Sequence, residues 1–164
     1  MSTRTEIPLG EPTIVMTRIY DAALEMVWGA MTEPAQVRQW WGGPGCSNPV
    51  CEMVVRPGGA WKHVLRFPDG REMNLDFVFL EVERPRRLAW RHADHDERAA
   101  GTPAPQFTTT LEDLGDRTRC TMVARFRSIA ERDAAVSFGF TGPIEGSNNR
   151  LSDYLKTIRQ GSRG

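Results

Sequence analysis

Side chains able to do chemistry alternate with aromatic residues in the middle of this sequence. His63 follows Trp61 and precedes Leu65 at two-residue spacing, which on a β-strand places the three side chains on one face. An imidazole in such surroundings either orients a ligand oxygen or acts as an acid or base near neutral pH. The alternative is a histidine that is hydrogen-bonded to a neighbour within the wall. Both interpretations stay open at this point.

Catalysis would require a second polar group close to His63. Among the residues expected to face the interior, Tyr154 and Asn148 on a terminal helix are the candidates. A cyclase, dehydratase or hydrolase would use such a pair. The other polar members of the set are His92, Thr109, Cys51 and Cys120. The cysteines lack the sequence signature of a nucleophile, so we expect reduced thiols that pack as small hydrophobes.

Residues 92–97 combine imidazoles with carboxylates, as a metal site does, but their spacing fits no catalytic metal pattern. The neighbouring Arg91 and Arg98 favour a solvated polar loop instead. Cys46 and Cys51 also lack the spacing of a zinc knuckle. The sequence therefore predicts neither a metal nor a cofactor.

Length and charge exclude several classes of partner. The 164 residues suffice for one domain with a sizeable core, predicted at 13–160 after a disordered or loosely held tail at 1–12. The 21 Lys and Arg balance 21 Asp and Glu without a basic run, which argues against nucleic acid. Apolar runs are far shorter than the roughly 20 residues of a membrane helix, and the first ten residues lack a secretory signal. We expect a cytoplasmic protein with no membrane partner.

The elements that must position these side chains are mainly strands. A first strand over 14–20 and six more between 51 and 126 predict an antiparallel sheet of about seven strands, hence an α+β protein. One face of this sheet is apolar and aromatic. A cavity on that face would be lined by Trp61, His63, Leu65, Phe77, Phe79, Trp90, Thr109, Met122, Ile144, Asn148 and Leu151.

Helices are predicted after the first strand and at the end of the chain. Asp21 is a candidate cap for a short helix over 22–31, and Pro34 fits the first turn of a second one. A long helical segment over 129–158 would cover the sheet, in two parts because Gly139 and the following Gly and Pro residues interrupt it. Trp40-Trp41 is either a gate at the cavity mouth or a hydrophobic plug under the short helices.

The chain resembles the activator-of-heat-shock-protein-ATPase-like branch of the START-like helix-grip superfamily (SRPBCC proteins). The motifs that carry this resemblance are Val27-Trp28, Thr32-Glu33-Pro34, Trp40-Trp41-Gly42, Arg56-Pro57-Gly58-Gly59, Pro68-Asp69-Gly70, Glu81-Val82 and Glu131-Arg132-Asp133-Ala134. The resemblance implies an antiparallel sheet wrapped around a long C-terminal helix, with a cavity between them that holds an apolar molecule in many members.

This sequence departs from the branch at three positions. It has Pro143-Ile144 where a Gly-Trp pair is common, Asn148 in place of a leucine, and Val54 in place of an acidic residue. The lost Trp and the added amide alter the shape and polarity of any cavity, so no ligand is carried over. We expect a binding protein for a small apolar or aromatic molecule, the alternatives being an enzyme or a co-chaperone-like interaction module. The resemblance also makes a homodimer plausible.

Overall fold

The computed structural model of the protein describes residues 3–93 and 105–163. Nine strands and four helices occur in this part of the chain. The strands are β1 (Arg4–Glu6), β2 (Thr13–Tyr20), β3 (Ser47–Met53), β4 (Ala60–Arg66), β5 (Glu72–Asn74), β6 (Phe77–Glu83), β7 (Arg87–His92), β8 (Gln106–Asp113) and β9 (Thr118–Arg125). The helices are α1 (Leu24–Thr32), α2 (Pro34–Trp40), α3 (Ile129–Ser137) and α4 (Thr141–Arg163).

The strands form one antiparallel sheet in the order β1-β2-β9-β8-β7-β6-β4-β3, with β5 paired to β4. It has nine strands where the sequence predicts about seven. One addition is β1, which lies inside the predicted tail and pairs with β2. The other arises because the run after residue 72 divides: β5 pairs with the end of β4, whereas β6 pairs with its beginning and with β7. The predicted domain limits themselves stay a prediction.

The two short helices connect β2 to β3. Pro34 opens α2, where its missing N–H has no hydrogen bond to lose. The expectation that Asp21 caps α1 is wrong, because no side chain caps the first turn of that helix. Asp21 instead pairs with Arg159 of α4 at 2.7 Å, so its carboxylate joins the beginning of the helical pair to the terminal helix.

The C-terminal segment forms two helices, as the glycine pattern predicts. Ser128 caps α3 by accepting a hydrogen bond from the Glu131 amide. Gly139 has a φ of +82°, a conformation that side-chain-bearing residues rarely adopt, and it directs the chain from α3 into α4. The chain therefore changes from one helix to the next at this glycine. In the described residues no helix combines the length and apolar character needed to cross a bilayer.

The core lies between the sheet and the helices. Alternate residues of each strand point inward, as with Trp61, His63 and Leu65 of β4 or Phe77 and Phe79 of β6, and all five are buried. On the helical side, Val27 of α1 and Leu151 of α4 are almost inaccessible. This is the helix-grip arrangement, in which a sheet and a terminal helix enclose the interior.

Candidate functional site

A cavity of about 460 Å³ lies between the inner face of the sheet and the helices, and it is partly open to solvent. Its wall is mostly apolar and includes aromatic side chains from five strands, from α2 and from connecting segments. The aromatic residues that line it are Tyr20, Trp40, Trp41, Trp61, Phe67, Phe77, Trp90, His92, Phe107, Phe138 and Phe140. The Phe138, Gly139 and Phe140 junction between α3 and α4 forms part of this wall.

Eight of the eleven predicted lining residues lie in the cavity wall. They are Trp61, Leu65, Phe77, Trp90, Thr109, Met122, Ile144 and Asn148. His63, Phe79 and Leu151 do not line it, although each lies in the interior and is 1% exposed. Strand and helix periodicity assign a side chain to the interior, but they do not say whether a neighbour stands between it and the empty space.

Phe79 shows how such screening occurs. Its ring stacks on the Trp61 indole with centroids 5.6 Å apart and an angle of 12° between the planes. Trp61 also contacts Trp41, Phe77 and Trp90, at centroid distances of 5.0, 4.7 and 5.7 Å. Trp61 is therefore the centre of an aromatic cluster that presents its own surface to the cavity and covers Phe79.

Both ring nitrogens of His63 are hydrogen-bonded within the wall. Nδ1 accepts from the Trp61 indole N–H at 3.1 Å, and Nε2 lies 2.7 Å from Oδ1 of Asn48. The Asn48 amide nitrogen donates to the carbonyls of Arg38 and Trp41, at 3.0 and 3.1 Å, which leaves its oxygen to face the imidazole. Nε2 therefore carries the proton and Nδ1 is the acceptor.

These contacts make His63 a positioning residue. Burial, assisted by the positive charge of Arg38, lowers the pKa of His63 to about 4, so the ring is neutral at physiological pH. No lone pair or proton of the ring is left for a ligand. The geometry agrees with the structural alternative for this histidine and gives it the task of orienting Trp61.

The predicted catalytic pairing is not assembled. The Tyr154 hydroxyl donates to Oε1 of Gln36 at 3.0 Å, and the Asn148 amide donates to the Thr3 hydroxyl at 3.4 Å. Neither side chain is hydrogen-bonded to His63, because both of that ring's nitrogens are occupied by Trp61 and Asn48. His63, Tyr154 and Asn148 therefore make their hydrogen bonds with other partners, and the predicted acid–base pair does not form.

Trp40 and Trp41 have different surroundings. Trp40 is buried, and its indole N–H donates to the Ala30 carbonyl at 2.9 Å, which fits the plug. Trp41 is half-buried, lines the cavity, and contacts Trp61 and His63 at ring-centroid distances of 5.0 and 5.2 Å. Its carbonyl accepts from both Asn48 and Arg150, so its backbone is fixed.

Sequence analysis missed Arg18 and Tyr20 of β2, which both line the cavity. The signal was present, because Ile14, Met16, Arg18 and Tyr20 alternate as the inner residues of the other strands do. Arg18 is only 7% exposed. Its Nη1 donates to the Asn149 side chain at 2.6 Å and to the Thr3 hydroxyl at 3.3 Å.

The two buried thiols, Cys51 and Cys120, are protonated and unsuited to nucleophilic chemistry. Burial raises the pKa of Cys51 to about 11 and that of Cys120 to about 12. Within residues 3–93 and 105–163, no group of three His, Cys, Asp or Glu side chains is placed to hold a metal ion. Most of the predicted polar loop at 92–97 lies outside the described residues.

Comparison with known proteins identifies the family. Residues 21–156 match the family described as Activator of Hsp90 ATPase homolog 1-like protein (AHSA1). The chain belongs to this family. Membership confirms the resemblance carried by the motifs between Val27 and Ala134, and with it the α+β helix-grip fold. Comparison with curated proteins found no match.

Solved structures of bacterial proteins share this AHSA1 fold. A protein of Nitrosomonas europaea is 25% identical, with a TM-score of 0.81, over 94% of this chain and 99% of its own. A protein of Rhodobacter sphaeroides is 22% identical, with a TM-score of 0.82, over 96% and 99% of the two chains. An AHSA1 protein of Silicibacter pomeroyi is 20% identical, with a TM-score of 0.69, over 89% and 99%.

The AHSA1 and START-like fold is typical of ligand-binding or co-chaperone-type modules. It does not by itself distinguish the two, so the choice for this chain depends on its own cavity. The predicted homodimer stays a prediction.

Proposed function

We propose that this AHSA1 protein binds a small, predominantly apolar and aromatic molecule in the cavity between the sheet and the helices. The observation that carries the proposal is the cavity itself, about 460 Å³ with a mostly aromatic and aliphatic wall. Small-molecule sites have volumes of about 300–1,000 Å³ and combine such walls with a few polar groups. Polar groups in this wall include the side chains of Thr109, Ser147 and Asn148.

The wall is preorganised for an aromatic guest. The hydrogen bond from Trp61 to His63 orients the Trp61 indole before any ligand arrives. The bonds from Asn48 and Arg150 to the Trp41 carbonyl fix the backbone that carries the second indole. Trp90 and Phe107 stack at 5.3 Å and extend the aromatic surface along the neighbouring strands. A rigid wall spares the ligand the entropic cost of ordering side chains, which favours affinity.

The α3 and α4 junction is the proposed entrance. Phe138 belongs to the cavity wall and is 85% exposed, so it lies where the cavity meets solvent. Gly139 beside it has the backbone freedom that a moving cover requires. The Gly-Pro sequence at 142–143 follows directly, and Pro143 also lines the cavity.

Fluorescence titration with the neutral dye N-phenyl-1-naphthylamine tests the proposal. Entry into the cavity will enhance dye emission and quench tryptophan emission with a saturable, one-site curve. Ile144→Trp, which fills the cavity from α4, is expected to lower the affinity at least tenfold. Ile129→Trp is the matched control, because the same substitution on the 40%-exposed Ile129 of α3 lies outside the cavity wall and should change nothing.

Two results would overturn the proposal. One is the absence of saturable dye binding to the wild-type protein, and the other is equal binding by both tryptophan variants. Native mass spectrometry on freshly purified protein adds the natural occupant, since a mass that disappears on denaturation gives the size of the ligand.

A further inference from the structure

Arg18 is a buried cation that has no ionic partner among the described residues. It extends from β2 toward the interior, lines the cavity and is 7% exposed. Its side-chain acceptors are the neutral Thr3 hydroxyl and Asn149 amide. Arg18 is in no ion pair of the described residues, and the cavity wall that they form contains neither Asp nor Glu. Burying a charge without a counter-ion is costly, so this arrangement needs an explanation.

The guanidinium keeps one edge unused. Arginine has five N–H donors, and here both hydrogen bonds come from Nη1. Nε is buried and has no hydrogen-bond partner in the described part of the chain. Nε and Nη2 form the edge that binds a carboxylate through both of its oxygens. Because Nε is covered by neighbouring atoms, this two-point contact requires a small movement of side chains around Arg18 when a ligand binds.

The groups around Arg18 also favour a negatively charged partner. Across the strand pair its neighbour is Cys120, a thiol that burial keeps protonated. The Arg18 guanidinium carbon lies 5.7 Å from the centre of the Tyr20 ring, an aromatic face that attracts a cation without neutralising it. Asn148, whose amide is a further donor, lines the same cavity from α4. These side chains offer donors and positive charge to whatever occupies the cavity.

We propose that Arg18 receives the carboxylate of an apolar acid, so that the ligand is an amphipathic monocarboxylate whose apolar body contacts the aromatic wall. This inference rests on the proposed function, because it assigns the chemical class of the molecule that the cavity binds. The acid group would supply the counter-ion that Arg18 lacks in the described part of the chain, and the aromatic cluster around Trp61 would hold the rest of the molecule.

The test uses two competitors that differ in charge but hardly in shape. 1-Naphthylacetate and 1-naphthylacetamide are titrated against bound N-phenyl-1-naphthylamine, which is neutral and reports occupancy of the cavity. We expect the wild-type protein to prefer the carboxylate at least tenfold, as charge-assisted hydrogen bonds at a buried site allow. Arg18→Met should remove this preference while dye binding persists, and Arg18→Lys should restore part of it. Arg125→Met, which removes the same charge from the exposed end of β9, is the control and should keep the preference.

The outcomes separate the two proposals. Dye binding without a preference for the carboxylate, or with a preference that survives in Arg18→Met, overturns the assignment to Arg18 and leaves the proposed function intact. Absence of dye binding overturns the proposed function, and the assignment with it. Equal binding of the two competitors to the wild-type protein overturns the assignment even if Arg18→Met does not fold, and Arg18→Lys then provides the variant comparison.

Discussion

The amide oxygen of Asn48 lies 2.7 Å from Nε2 of His63, and this contact determines the tautomer of the imidazole and the orientation of both side chains. The amide nitrogen is occupied by two backbone carbonyls, and the other imidazole nitrogen by the Trp61 indole. A chain of directional hydrogen bonds thus runs from the end of α2 through β3 to the aromatic wall on β4. Each member has its partner, which is the condition under which a buried polar network rigidifies a structure.

Asn48→Ala is expected to destabilise the protein by about 3 kcal/mol, because it leaves the buried His63 N–H and the Arg38 carbonyl without their side-chain partner, whereas the Trp41 carbonyl keeps Arg150. Urea denaturation measures the loss. Asn74→Ala is the control, since Asn74 is exposed on β5 and should change stability by less than about 0.5 kcal/mol. Equal stability of the two variants would contradict the assignment of this network.

Stability should fall between pH 6.5 and pH 4 because of His63. Its pKa is about 4 in the folded protein, against 6.5 for an unperturbed histidine, so the unfolded chain binds a proton in this range and the folded protein does not. The contribution of His63 is complete above pH 6.5, declines as the pH falls, and levels off below pH 4. The total is about 3 kcal/mol.

His63→Gln isolates that contribution, because glutamine does not titrate. The variant should be less stable than the wild-type protein at pH 7.5, and the difference should shrink toward pH 4. Thermal unfolding at several pH values measures both curves. A difference that is constant with pH would show that His63 keeps its ordinary pKa in the folded protein.

Gly42→Ala should destabilise the protein by about 2 kcal/mol or more, and Gly43→Ala should be tolerated. Gly42 has a φ of +91°, and a Cβ there would lie 2.7 Å from Cδ1 of Leu65. Gly43 has no atom within 4 Å of the corresponding position and no positive φ. The melting temperatures of the two variants provide the comparison, and similar values would contradict the fixed conformation of this loop.

Arg150→Met should loosen the loop after α2. Nη1 of Arg150 donates to the carbonyls of Trp41, Gly42 and Gly43 at 3.0 to 3.1 Å, which joins α4 to that loop. We expect a loss of about 1–3 kcal/mol and faster hydrogen exchange at the Gly42 amide, which donates to the Ser147 hydroxyl.

Arg125→Met is the matched control for Arg150→Met, because Arg125 is exposed at the end of β9. Its stability and its exchange at Gly42 should equal those of the wild-type protein. If Arg150→Met behaved in the same way, the loop would be held by other contacts.

Residue alternation predicted the wall of the cavity better than its polar contacts. Trp61, Leu65, Phe77 and Trp90 follow from the two-residue period of strands, which needs no knowledge of the neighbouring elements. The same period placed His63 in the interior, but it did not predict the hydrogen bond to Asn48, which lies fifteen residues earlier in the chain. That pairing depends on the register between β3 and β4, which includes a bulge between Ser47 and Val50.

Arg18 was missed for a different reason. Charged residues are rarely fully buried, so an arginine at an inward position is normally assigned to the surface. Its burial results from the β1 and β2 pairing, which places Thr3 beside it, and from α4, which supplies Asn149. Neither contact has a local sequence signal. The available indication was a charged residue at an inward position of a strand whose other inward residues are largely apolar. Such a residue indicates a functional site as readily as a wrong assignment of the inward face.

Four of the five tryptophans line the cavity and lie close enough together to exchange excitation energy. The indole centroids are 5.7 Å apart from Trp40 to Trp41, 5.0 Å from Trp41 to Trp61 and 5.7 Å from Trp61 to Trp90. Excitation absorbed by any of these rings passes readily to the next, so light is emitted from whichever has the lowest excited state. A molecule of the proposed kind that contacts a single indole would consequently change the emission of the whole set, so intrinsic fluorescence would report occupancy of the cavity without a label.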